Sequence, residues 1–227
     1  MMQWIQNHTL FLLLSGATVL TFFWLYQFRT ELRIHSGFLP FIAVLHTLLG
    51  VASVKCFAVL ETLNLDNAGK MSLFGAVFFM PLVYFIGAKV LKQERKDVFD
   101  IFTPVMLISL LSARINCILS GCCRGKIIPG TTDLRYPTRQ TEIIFYIIIM
   151  FFLARSVWKR ESKGRNYPIY LMAYGCFRFV IEWLRDENSP FGWIHMGHIW
   201  ALVSIAIGWS IYAELEKRLK KRGYKHA

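Results

Sequence analysis

The chain has 227 residues, is 55% hydrophobic and carries a formal charge of +12; its mean hydropathy of +0.43 lies beyond the ordinary soluble range. The charge is spread along the connections between apolar blocks rather than gathered into a groove-reading element, which argues against a nucleic-acid partner. Cys56, Cys117, Cys122, Cys123 and Cys176 are odd in number and irregular in spacing, which excludes a disulfide framework.

Seven apolar blocks follow one another: Leu10–Tyr26, Phe38–Leu60, Ser72–Leu91, Val98–Ser120, Gln140–Val157, Tyr167–Leu184 and Gly197–Tyr212. Each approaches the length needed to cross about 30 Å of hydrocarbon at about 1.5 Å per residue. The connections are short, and no internal repeat or low-complexity stretch interrupts them. The expected fold class is therefore all-α, a polytopic membrane protein forming a single transmembrane domain over residues 1–227. No Lys or Arg precedes Arg29, and no small-residue cleavage site follows the first block, so that block reads as a retained span rather than a leader.

The Lys and Arg of alternate connections set a direction. Seventeen lie in the first, third and fifth connections and in the tail, against six in the others. Basic loops stay in the cytoplasm, so the N-terminus is expected outside and the C-terminus inside. A loop at about 119–139 then faces outward, the tail at 213–227 is cytoplasmic, and Tyr136, Trp193 and Trp200 are expected at the outer interface.

Lys55, Arg114 and Arg178 fall inside apolar blocks, where a charge costs at least about 2.5–3.5 kcal/mol and needs a partner or a wet cavity. With the expected direction all three lie in the outer half of the bundle, at the depth of Glu142, Glu182 and His198. That is a polar cavity, and planar guanidinium groups suit a phosphate such as a phospholipid headgroup. The plainer alternative is a set of ion pairs, Arg178 with Glu182 at i,i+4 above all, with Lys55 snorkelling to the interface. Tyr174, Arg178, Glu182 and Arg185 share one helical stripe and are expected to face the cavity.

The stretch from Ser112 to Lys126 replaces apolar residues with small and polar ones. Gly121 and Gly125 permit positive φ or close backbone approach, and freed N–H groups there could help Arg114 and Arg124 hold an anion. Cys122 and Cys123 admit a reactive thiol beside Arg124 and Lys126, or a metal site shared with His195 and His198. The default is a pair of buried, inert cysteines, with no metal and no cofactor.

These residues carry a resemblance. The segment Ala113 to Lys126, the run Pro137 to Glu142, the stripe Tyr174-Gly175, Arg178, Glu182, Arg185 and the start Met196-Gly197-His198 resemble, in order and spacing, the motifs of the bacterial prolipoprotein diacylglyceryl transferases. The closest likeness is to a shorter branch with a Gly-Cys-Cys-x-Gly loop. The resemblance implies a multi-pass enzyme of the bacterial inner membrane. It moves the diacylglyceryl group of phosphatidylglycerol, a membrane lipid, to the lipobox cysteine thiol of a prolipoprotein. It also implies Arg114, Arg178, Glu182 and Tyr174 as catalytic residues, and Gly121, Gly125, Arg139, Glu142, Arg185 and His198 as substrate-binding ones. In that picture Arg114 and Arg178 hold the headgroup phosphate, and Glu182 orients Arg178. Three positions depart from the family pattern: Phe74 stands where the family has a histidine proposed to help deprotonate the thiol, Cys117 replaces an asparagine, and Arg139 a glutamine. Another base is then needed, with His198, Glu142 and Lys55 as the alternatives. A related transferase with a different acceptor, or a phospholipid-binding protein without turnover, fits the same residues.

Overall fold

The computed structural model describes residues 2–62, 72–186 and 194–223. Seven α-helices run through them: α1 (Met2–Gln27), α2 (Leu39–Thr62), α3 (Phe74–Val90), α4 (Arg95–Leu119), α5 (Thr138–Trp158), α6 (Asn166–Glu182) and α7 (Met196–Gly223). Each expected span contains one helix. The stretches His8–Gln27, Ser36–Glu61, Arg95–Leu119, Thr138–Trp158 and Met196–Lys221 are long and apolar enough to cross a membrane, and Phe74–Val90 is apolar but shorter. Trp193, expected at an interface, lies outside the described residues.

Several helices, α7 above all, run past their apolar blocks, while α3 falls short of its block at both ends. Hydropathy ended the last span at Tyr212, but α7 continues to Gly223. Its charged turns pair Arg218 with Glu214 at 2.8 Å and Arg165 with Glu216 at 2.7 Å. Hydropathy measures the stretch that lipid accepts, whereas helix continues wherever its backbone bonds persist in water.

The helices surround α4, whose apolar window is 67% buried against 17–33% in the other long spans. It packs on α1, α3, α5 and α6, while α6 and α7 form the tightest pair. Large apolar side chains face outward on the periphery, among them Leu20 and Phe23 on α1, Phe41 and Leu48 on α2, Phe151 on α5 and Trp209 on α7. In water such a surface would drive association; lipid tails accept it.

Two prolines interrupt this framework, Pro81 in α3 and Pro104 in α4. Each lacks the N–H that would bond the carbonyl four residues back, freeing the carbonyls of Val77 and Asp100. Both are satisfied from the start of α6. Tyr167 Oη donates to Val77 O at 2.9 Å, and Asn166 Nδ2 donates to Asp100 O at 3.1 Å. The Asp100 carboxylate in turn accepts the Gly164 N–H at 2.5 Å and the Asn166 N–H at 3.1 Å, capping the N-terminus of α6 from another helix. The same end of the bundle gathers Glu31, Lys96, Arg160 and Lys163 around a polar cavity.

The Val77 carbonyl gives a test of this accounting. Tyr167→Phe should leave it unpaired and cost about 1–3 kcal/mol, read as a lower thermal unfolding midpoint in detergent. Pro81→Ala restores an N–H to the same carbonyl, so Tyr167→Phe should cost less in that background. An equal loss in both backgrounds would show the bond to be idle.

Candidate anion-binding site between α4, α5 and α6

At the end of the bundle away from Asp100, α4 brings Arg114, α5 brings Glu142, and α6 with the residues just after it brings Arg178, Glu182 and Arg185. All five side chains are buried. Glu142, at the second turn of α5, is the shared partner. Its Oε2 pairs with Arg114 Nε, and its Oε1 lies 3.0 Å from Arg178 Nη1 and 3.3 Å from Arg185 Nη1. Glu182 closes the other side, with Oε2 at 2.8 Å from Arg178 Nη2 and 3.8 Å from Arg185 Nε. Three guanidinium groups thus face two carboxylates in a low-dielectric setting, and Glu61 lines the cavity beside them.

The stripe Tyr174, Arg178, Glu182, Arg185 is what α6 and its last turn need for this: residues three and four apart lie on one face. Tyr174 is 1% exposed, and its hydroxyl has no hydrogen-bond partner among the described residues. It lines a cavity of about 520 Å³ together with Arg114, Arg178, Arg185, Phe74 and Cys123. Phe74 presents its ring to the Arg178 guanidinium, 5.4 Å from the centroid, and meets Tyr174 edge-on at 5.8 Å.

Several expected neighbours are elsewhere. Lys55 is exposed on α2 and takes no part in the cluster, as expected of a snorkelling side chain. His198 is buried but absent from the cavity lining: its Nδ1 accepts the His195 N–H at 3.1 Å, and its ring packs edge-on to Trp183 at 4.6 Å. Arg139 turns to the loop backbone, donating to Cys117 O at 2.9 Å and Cys122 O at 3.2 Å. Arg124 likewise folds back, donating to Gly121 O at 2.9 Å. Trp200 turns inward, 5.0 Å from Phe57, instead of anchoring at an interface.

The loop between α4 and α5 bears out its two glycines in different ways. Gly121 has φ +70°, and a Cβ on Gly125 would run into the Tyr136 carbonyl. The loop is held by isolated bridges of Gly125 with Arg185 and of Ile127 with Arg135, and by Arg135 Nη1 donating to Asp186 Oδ2 at 2.6 Å. Its cysteines are not the buried, inert pair expected. Cys122 is exposed and Cys123 half-buried, and their sulfurs converge with that of Cys117 within 4.8 Å, without His195 or His198. The hydrogen bond with Cys117, and then the charges of Arg114 and Arg185, hold the Cys123 thiol below the usual thiol range.

Three residues hold positions that the sequence reading did not give them. His195 is buried with Nδ1 3.8 Å from Glu182 Oε1. Tyr146, one turn beyond Glu142, is buried beside Tyr174 with centroids 6.5 Å apart. Gly197 lies against Glu182, so that a Cβ there would collide with the carboxylate. Tyr146 alone goes unnamed in the sequence reading, and its i,i+4 spacing from Glu142 is the signal that marks it.

The family model for prolipoprotein diacylglyceryl transferase matches residues 10–213 of the chain. Similar proteins named phosphatidylglycerol–prolipoprotein diacylglyceryl transferase come from several bacteria. The Clostridium tetani protein is 25% identical over 158 residues, covering 63% of this chain and 63% of that protein. The protein of Rickettsia bellii strain OSU 85-389 is 28% identical over 167 residues, covering 66% and 64%. That of Methylococcus capsulatus is 31% identical over 131 residues, covering 49% and 48%. The match thus spans less than two thirds of the length of these relatives.

Glu142 is the residue whose loss the cluster tolerates least. Glu142→Ala leaves three buried guanidinium groups around Glu182 alone, and breaking a buried pair costs about 3–5 kcal/mol. The expected outcome is poor accumulation in the membrane and a sharply lowered unfolding midpoint. Ile144→Ala, two residues away on an exposed position, should leave both near the parent values.

Proposed function

The chain belongs to the prolipoprotein diacylglyceryl transferase family, and from that premise we propose that it moves the diacylglyceryl group of phosphatidylglycerol onto the lipobox cysteine of a prolipoprotein. The observation that carries this reading is the buried cluster of Arg114, Arg178 and Arg185 held by Glu142 and Glu182 on the wall of a cavity of about 520 Å³. A phosphodiester monoanion offers paired oxygens to planar guanidinium forks. The two carboxylates hold the guanidinium groups in place before the lipid arrives, so little reorganisation is required.

In this reading the acceptor sulfur attacks the glyceryl carbon that bears the phosphate. The sulfur–carbon bond forms, the carbon–oxygen bond breaks, and glycerol phosphate leaves. Arg114 and Arg178 stabilise the charge that grows on the departing phosphate, and Tyr174 supplies its unpaired hydroxyl as a further donor. The thiol proton ends on the leaving phosphate, whose monoester has a second pKa of about 6. Glu182 and Glu142 act as positioning residues. Gly121 and Gly125 shape the loop over the cavity, Arg139 fastens it, and His198 supports the His195 side of Glu182.

The protein is proposed to lie in the bacterial inner membrane with seven spans, the α4–α5 loop outside and the tail in the cytoplasm. The basic connections meet around Glu31 and Asp100, at the end of the bundle away from Arg114. Under the positive-inside rule the cavity then opens towards the outer leaflet. Phe74 on the cavity wall favours a second reading, transfer to another acceptor or lipid binding without turnover, because a phenyl ring takes no proton.

The test is direct. Purified protein in phosphatidylglycerol vesicles should add one diacylglyceryl mass to a lipobox peptide. Arg114→Ala and Arg178→Ala should each slow this about 10²–10³-fold, and Arg178→Lys should also fall because a point charge lacks the fork. Glycerol phosphate release without a change in the peptide would move the reading to another acceptor. Bound lipid that never turns over, beside an active control enzyme, would replace transfer with binding.

A further inference from the structure

We propose that Cys117, Cys122 and Cys123 form a three-thiol site for a soft monovalent d10 cation of the copper(I) class, on the wall of the same cavity. The three sulfurs lie within 4.8 Å of one another. A metal–sulfur bond of about 2.3 Å in a trigonal arrangement places sulfurs roughly 4 Å apart, so less than an ångström of closure is needed. Soft thiolates select this class of ion over the oxygen-loving cations.

The backbone is shaped for this convergence. Neighbouring side chains on an extended strand point to opposite sides, so an adjacent cysteine pair does not ordinarily aim both sulfurs at one point. Here the chain turns out of α4 through Gly121 at φ +70° and takes a left-handed conformation at Cys123, φ 54°. The turn carries both vicinal sulfurs back to Cys117 on the last turn of α4. Arg139 fastens the arrangement, since one guanidinium nitrogen donates to the carbonyls of both Cys117 and Cys122. Ser120 Oγ donates to Cys122 Sγ at 3.3 Å, the kind of outer contact that orients a ligating sulfur.

Cations close by offset the charge of the thiolates. Arg114, Arg178 and Arg185 line the cavity with all three cysteines. The inference rests on this geometry alone and stands or falls independently of the transferase reading.

The experiment uses the full chain, reduced and kept anaerobic, titrated with copper(I) against a chromogenic bidentate chelator. One copper(I) per chain is expected. Loading should protect Cys117, Cys122 and Cys123 from maleimide while leaving Cys56 and Cys176 reactive, as mapped by peptide mass. Cys117→Ser, Cys122→Ser and Cys123→Ser should each weaken binding at least about 100-fold, and the Cys56→Ser/Cys176→Ser double variant should bind as the parent does. The protection map on the unaltered chain gives an answer even where a serine variant fails to fold. Copper taken up equally by the triple serine variant, protection elsewhere, no binding in competition with the chelator, or a disulfide within the trio that re-forms after reduction would each overturn the site.

Discussion

Glu142 holds three guanidinium groups that would otherwise be stranded in a low-dielectric interior, and the arrangement of α4, α5 and α6 follows from that sharing. A buried cation is tolerated only when its partner is already in place and its remaining N–H groups are met. Arg114 comes from α4, Arg178 from α6 and Arg185 from just beyond it, so no pair of helices can shift without uncovering a charge. The requirement reaches α7 through Glu182, whose carboxylate lies against Gly197 with space for no side chain there. The guanidinium groups that these carboxylates hold line the cavity.

The opposite end of the bundle solves a different polar problem. Prolines in α3 and α4 free two carbonyls at a depth where water cannot be relied upon, and the first residues of α6 meet both. Asp100 repays α6 by capping its N-terminus. Thus α6 is pinned at its start by hydrogen bonds and at its end by ion pairs, with its tyrosines between. Tyr170 and Tyr174 stack at 5.6 Å in that middle stretch, and both hydroxyls lack partners among the described residues. A helix fixed at both ends can hold an unpaired donor towards the cavity without collapsing onto it.

Much of this was legible in the residues. Apolar runs located every helix, because lipid demands continuous helix and continuous apolarity together. The stripe on α6 located three cluster members and Tyr174, because helical spacing is local. Glu142 was placed by its depth and by the run Pro137 to Glu142, and the structure brings it to the centre. What could not be read depends on contacts between distant segments. Depth put Lys55 and His198 in the cluster, but depth says nothing of the direction in which a side chain leaves its helix. Lys55 faces outward and His198 faces Trp183. The pairing of Tyr167 with the carbonyl freed by Pro81 joins residues 90 apart along the donor and acceptor positions, and no periodicity marks it. The cysteine trio escaped because Cys117 belongs to the last turn of α4 and Cys122 and Cys123 to the loop, and only the turn between them brings the three sulfurs together.

Phe74 ties the two kinds of feature together. The resemblance to the family makes it a loss, a ring where a proton acceptor was expected. Its packing gives it a different physical role. The ring covers one face of the Arg178 guanidinium at 5.4 Å and stacks with Phe78, which itself meets Trp200. An imidazole there would hydrogen-bond and, when protonated, would add a fourth cation beside the three guanidinium groups. The phenyl ring does neither and takes no proton. That wall of the cavity therefore suits holding an anion better than moving a proton.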